Sequence, residues 1–179
     1  MKKITVREIM KFGPCDRYNV FTVFKLIKFG KTPLEILDLP ISKNDKFWLL
    51  LRSEYIPERQ LHLLACNFAQ EVAYLNPDPS VQAAIDAKRM WVDNRITDEA
   101  LKKARDAAYA AYAAASSAAS AAYAAAYAAA CAAASAAYAA AYAVYAATYA
   151  AWSADVDINI GTKQIEMVRK VFIDMEEVK

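Results

Sequence analysis

Apolar and polar residues along the N-terminal half recur at the three-to-four-residue spacing of helices, in short runs cut by Gly and Pro. Thr5-Val6-Arg7-Glu8 has the form of a capping box and predicts a short helix to about Lys11, stopped by Gly13-Pro14. Residues 15–28 carry Val20, Phe21, Phe24, Leu26 and Ile27 and predict a buried helix ended at Gly30, with Lys28 in its last turn. Thr32-Pro33-Leu34-Glu35 combines an N-cap, a proline at the first helical position and a glutamate three residues after the cap, and the helix it opens ends before Pro40. Ser42 opens another through Phe47-Trp48-Leu49-Leu50-Leu51. Pro57 begins a longer one to about Leu75, with Leu61, Leu64, Ala65, Phe68 and Val72 on one face.

Asn76-Pro77-Asp78-Pro79 is the sharpest boundary, because Pro77 cannot continue a helix while Asp78 and Pro79 begin the next. That helix spans about 79–93 and carries Val81, Ile85, Met90 and Trp91. Thr97-Asp98-Glu99 then places acids in the first turn of a helix that runs into an Ala/Tyr tract. Asp155 to Gly161 alternates polar and apolar residues but has no partner strand, so it reads as a loop. Thr162 is the expected cap of a last helix to about Glu176, with Ile165, Val168, Phe172 and Met175 inward. No convincing strands occur. The predicted fold is all-α: a compact helical bundle in a single domain 1–179, with short N-terminal helices over 1–77, Ala-rich helices over 78–154, and a loop and C-terminal helix over 155–179.

The tract 107–154 dominates the composition: 48 residues, 31 of them Ala, with no charged residue, Gly or Pro. Alanine has the highest helix propensity, and nothing here breaks a helix. Tyrosines at 109, 112, 123, 127, 138, 142, 145 and 149 fall on one stripe roughly 120° wide. Ser120-Ala-Ala-Tyr123-Ala-Ala-Ala-Tyr127 recurs as Ser135-Ala-Ala-Tyr138-Ala-Ala-Ala-Tyr142, a 15-residue period close to an integral number of turns. A single helix of this length would extend about 70 Å, more than a small domain can bury. A central hairpin is therefore expected, broken near Ala115-Ser116-Ser117, where serines compete for backbone hydrogen bonds. An oligomer interface is compatible with that hairpin. A membrane hairpin fits by length but not by composition, since alanine is weakly hydrophobic and the tyrosines form no two belts. An ice-binding surface would need a threonine ladder, and only Thr148 is present.

Charge narrows the function classes. The net charge of +2 argues against an acidic DNA mimic and provides no strong nucleic-acid footprint. All charges lie in 1–106 and 155–179. Met1-Lys2-Lys3-Ile4 opens no secretory signal, so a cytoplasmic location is expected. Cys15, Cys66 and Cys131 are odd in number and far apart, and read as small buried hydrophobes rather than a disulfide framework.

Phe12-Gly13-Pro14-Cys15, Lys43-Asn44-Asp45-Lys46-Phe47-Trp48-Leu49-Leu50, and the helix from Pro79 to Trp91 carry a family resemblance. In this order, ahead of Ala-rich helices, they resemble a Gly-Ala-Cys start, an Arg-Gly-Asp-Trp-Leu-Leu run and a Pro-Arg-x-Ala-Ile-Glu-Ala-x-x-x-Trp helix. These belong to a family of Ala-rich helical proteins designated immunity proteins, found in bacteria and phages. The resemblance implies a role in conflict between bacteria, toxins and phages, and no mechanism. Members often carry histidines on the second Ala-rich helix. The only histidine here is His62, so no histidine role carries over.

No catalytic constellation stands out. His62 and Cys66 are one turn apart but have no second ligand pair, so neither a metal site nor a Cys-His nucleophile is supported, and no cofactor is expected. Cys15 follows a Gly-Pro turn and could be a reactive thiol, but a small buried residue is the simpler reading. The remaining candidates are binding residues: Tyr123, Tyr127, Tyr138 and Tyr142, with Arg52, Arg89 and Arg105, since arginine and aromatic rings together suit a protein hot spot or a stacked base. The expectation is a non-enzymatic binding protein, phage or mobile-element encoded. It would block a host or defence-system protein in immunity or counter-defence, as anti-CRISPR inhibitors do, and form homo-oligomers. A sponge sequestering a small nucleotide, and a structural or ice-binding role, are the alternatives.

Overall fold

The computed structural model describes residues 1–76, 78–115, Tyr127 and 159–177; the predicted Ala/Tyr hairpin beyond Ala115, with Ser116 and Ser117 of its expected break, lies outside the described residues apart from Tyr127. The fold is all-α. The described helices are α1 (Val6–Lys11), α2 (Val20–Ile27), α3 (Pro33–Leu37), α4 (Lys43–Leu50), α5 (Glu58–Ala73), α6 (Pro79–Val92), α7 (Asp98–Ala115) and α8 (Asn159–Glu177), with a 3-10 turn at Asp16–Tyr18. The chain divides into two compact units: Met1–Leu50 with Val168–Lys179, and Leu51–Met167.

In the first unit both predicted capping boxes form. The Thr5 and Thr32 side chains accept from the Glu8 and Glu35 amides at 3.3 Å, and the glutamates reach back to the cap amides at 2.8 and 2.7 Å. The segment 15–28 is not one buried helix. A 3-10 turn comes first, and Asn19 then caps α2 by accepting from the Thr22 amide at 3.0 Å. Val23 and Ile27, four residues apart, form the buried stripe of α2, which packs on α1 and on the 3-10 turn. Val20, Phe21 and Phe24 are exposed. Such a short helix can bury only the side its neighbours cover, whatever the hydrophobicity of the others. An antiparallel bridge joins Ile4 to Lys31, with N–H to O distances of 2.8 and 3.1 Å. Arg169 of α8 donates to Asp38 at 2.6 Å.

In the second unit the predicted α5 face is buried in full, from Leu61 through Val72. Asp78 caps α6, accepting from the Ser80 amide at 2.9 Å. Asn94, with φ 55°, turns the chain after α6. Helices α6 and α7 meet through Ala84 and Ala108, both wholly buried, and through Ala87 and Leu101, against which Trp91 and Ile96 pack. Small side chains allow this close approach.

Helix α8 begins at Asn159, not after a cap at Thr162, and takes Gly161 and Thr162 into its first turn. A glycine costs a helix only about 1 kcal/mol, which packing of Ile160, Val168 and Phe172 outweighs; all three are buried. Cys66 is buried as expected, whereas Cys15 is exposed, because it stands in the open turn before the 3-10 segment. Cys131 lies outside the described residues. Among the described residues, no helix is long and apolar enough to cross a membrane.

Candidate functional site

The most distinctive surface lies in the first unit, where α2 ends. Ile27 closes the helix, and Lys28 then adopts φ 48° and ψ −108°, a left-handed conformation that a residue with a Cβ seldom takes. Its amide donates to the Phe24 carbonyl at 2.7 Å, and the Gly30 amide donates to the Ile27 carbonyl at 2.8 Å. Gly30 has φ 106°, and a Cβ there would sit 3.1 Å from the Ile4 carbonyl oxygen. Only glycine can both hold that φ and let the chain pass so close to Ile4. The turn is thus pinned on one side by α2 and on the other by the Ile4–Lys31 bridge.

Phe29 stands at its tip and is 90% exposed. Its ring meets Phe24 edge-to-face, centroids 6.5 Å apart at 86°. Phe24 is 48% exposed, and Phe21, one turn earlier on α2, is 79% exposed. Lone apolar residues on a surface are ordinary; Phe21, Phe24 and Phe29, with Val20, place four exposed apolar side chains on one helix and its terminal turn. Exposed Lys25 and Lys28 edge the cluster, and residues 17–31 include four basic side chains and no acidic one.

The inner side of the same helix helps wall a recess of about 290 Å³, completed by the 3-10 turn and α4. Its polar edge is organised by Asp45. That carboxylate accepts from Arg17 at 3.2 Å on each oxygen, from the Tyr18 hydroxyl at 2.7 Å and from the Ser42 hydroxyl at 2.5 Å. Partial burial pushes the Asp45 pKa up, but the bonds from Ser42 and Tyr18 and the Arg17 charge outweigh it and hold the carboxyl below its usual range. Burial, and then the bond to Asp45, raises the Tyr18 phenol.

The second unit has a different polar cluster. Lys88 is 1% exposed, and its Nζ lies 4.0 Å from the centre of the Trp91 ring. The His62 and Trp91 rings meet edge-to-face at 5.2 Å, and Trp91 Nε1 donates to Asp98 at 2.6 Å. Burial lowers Lys88 to about 8 and, with the Lys88 charge, His62 to about 4. Burial raises the Cys66 thiol to about 11, so at neutral pH it is a protonated, unreactive core residue. His62 Nδ1 is buried without a hydrogen-bond partner among the described residues, and Nε2 lies 3.8 Å from Glu58, beyond hydrogen-bond distance. Among the described residues, no three His, Cys, Asp or Glu gather around one point.

The expected binding residues are distributed differently. Tyr123, Tyr138 and Tyr142 lie outside the described residues, and Tyr127 is helical and half-buried. Arg89 donates to Gln70 at 3.1 Å, Asn67 at 3.4 Å and Asp86 at 3.5 Å, a network that ties α6 to α5. Arg105 donates to Asp106 at 2.8 and 3.1 Å. Arg52 is half-buried in the turn before α5, its carbonyl accepting from Tyr55 and Ile56.

Sequence reasoning put Phe21 and Phe24 in the core and passed over Phe29 and Lys88. The signal for Phe29 is its place between a helix end and Gly30. For Lys88 it is helical spacing: position 88 continues the stripe of Val81 and Ile85. Compared with known protein families, with curated proteins and with solved structures, the chain matches none.

Proposed function

We propose that the protein is a non-enzymatic binding protein that blocks a partner protein in immunity or counter-defence, and that the Phe21–Phe24–Phe29 surface is its docking site. The observation that carries this reading is Phe29, 90% exposed at the tip of a turn whose backbone is strained and fastened on both sides. Strain of this kind costs about 1–3 kcal/mol and persists where the surroundings over-determine it, typically at functional positions. A rigid aromatic anchor loses little entropy on binding and is the common form of a hot spot. The basic edge selects the partner: an apolar patch with an acidic rim. The biological setting rests on the resemblance to immunity proteins.

The test is a photo-crosslinking amino acid placed at position 29, and as a control at exposed Tyr74, in cells carrying candidate defence systems. The reading expects a defence or host protein joined at 29 and not at 74, its contact face acidic, and the adduct lost in Phe21→Asp. Adducts with a second copy of this chain alone, or cosedimentation with anionic lipid vesicles in place of any protein adduct, would overturn it.

A further inference from the structure

The recess on the inner side of α2 points to a second, separate binding capacity. It is a half-open hollow of about 290 Å³ whose lining is mostly apolar, the usual character of a small-molecule site. Its floor is formed by Val23, Ile27 and Leu49, all buried, and its walls include Leu26 and Ile41. Trp48, Asn44 and Cys15, all exposed, stand at the rim. The volume admits roughly ten heavy atoms, at the ~30 Å³ that a water molecule occupies in the liquid.

The charge at the rim decides what can enter. Among the described residues, Asp45 is the only carboxylate lining the recess, and its oxygens already accept from Arg17, Tyr18 and Ser42. A cationic ligand would have to displace Arg17, and an anionic one would meet Asp45 inside an apolar wall. Desolvating a charge there without a partner is costly. Asn44 makes no side-chain hydrogen bond among the described residues, and its amide both donates and accepts. We infer that the recess binds a neutral amphiphile of about ten heavy atoms, with its apolar body against Val23, Ile27 and Leu49 and a hydroxyl or carboxamide end on Asn44. This site does not depend on the docking surface proposed above.

The full chain labelled with ¹⁵N, its Trp48 indole signal identified through Trp48→Phe, is titrated with 1-octanol, octanoate and octylammonium. The site requires a saturable shift of the Trp48 indole with octanol, leaving the other two indoles in place, and binding of either ion weaker by about tenfold or more. Asn44→Ala should weaken octanol by about two- to tenfold. Ile41→Phe, or Leu26→Phe if the first fails to fold, should remove the shift while the helical circular dichroism is kept. Phe29→Asp should leave it unchanged, which separates failure here from failure of the docking surface. A shift that never saturates, equal binding of the three probes, or full octanol binding in a folded Ile41→Phe variant would each overturn the assignment.

Discussion

The Nζ of Lys88 lies 4.0 Å from the centre of the Trp91 ring, in a site where the lysine is 1% exposed. No carboxylate lies within ion-pair distance of it among the described residues. The ring face compensates part of the lost hydration, since a cation–π contact contributes up to about 2 kcal/mol. The more distant charges of Glu58 and Asp98 also favour the ammonium, but burial outweighs them.

Replacing Lys88 should therefore stabilise the fold. Lys88→Met keeps the length and apolar character of the side chain, and a gain of about 1–3 kcal/mol in urea unfolding at pH 7 is expected. The wild type has its own pH signature. Lys88 holds its proton less tightly when folded, at about 8 against 10.5, so between those values the unfolded chain binds more protons and stability rises with pH. The full rise is on the order of 3 kcal/mol. Lys88→Met should flatten the unfolding curve across pH 8 to 10.5; an unchanged slope would show that Lys88 is not the buried charge.

His62 sets the acid limb. Burial and the Lys88 charge depress it to about 4 from 6.5, so the unfolded chain takes up a proton first as pH falls. Stability should drop between pH 6.5 and 4, by on the order of 3 kcal/mol. His62→Gln should remove most of that dependence, and the His62 ring signals in NMR should titrate near 4.

The aromatic surface should contribute to binding without contributing to stability. Phe29→Ala and Phe21→Ala remove side chains that touch little in the free protein, so melting should move by no more than about 0.5 kcal/mol. Affinity for the partner should fall by about 2 kcal/mol, near thirtyfold. A matching loss of stability would mean that these rings belong to the core.

The turn that presents Phe29 should fail at Gly30. With φ at 106° and the Ile4 carbonyl oxygen 3.1 Å from any Cβ, Gly30→Ala meets both backbone strain and crowding. A loss of about 1–3 kcal/mol is expected, with the Ile4 and Lys31 amides exchanging faster with solvent.

The cap at Thr5 offers a local control. Thr5→Ala should cost about 1 kcal/mol. Glu8 is held at about 2 by its bond to Lys2, then by the amide and hydroxyl of Thr5. A depressed carboxyl stabilises above its usual 4.5 and is lost as pH falls toward 2. The gap between wild type and Glu8→Gln should close across that window.

Much of the fold was legible because its signals are local. A capping threonine and the glutamate three residues on read the same in the chain as in the structure, and so does the Leu61–Val72 stripe of α5. The site was not legible for the opposite reason. Helix α2 is apolar nearly all round, and periodicity cannot say which of Val20, Phe21, Val23, Phe24 and Ile27 a neighbour will cover. Arg89 reads as a binding residue in the sequence because arginines and aromatic residues are interspersed there. Only the packing of α5 on α6 commits it to Asn67 and Gln70.

The chain alone determined the all-α class, the caps at Thr5, Thr32 and Asp78 and the two uncharged repeats around Ser120 and Ser135, since backbone preference and capping act within a few residues. The tertiary structure decided which apolar face of α2 remains in water, how far Phe29 projects, and that Lys88 lies buried over Trp91. Each depends on segments distant in sequence arriving at one place, as Ile4 does at Gly30 and α5 at α6, and burial is set by that arrival rather than by the hydrophobicity of any one residue.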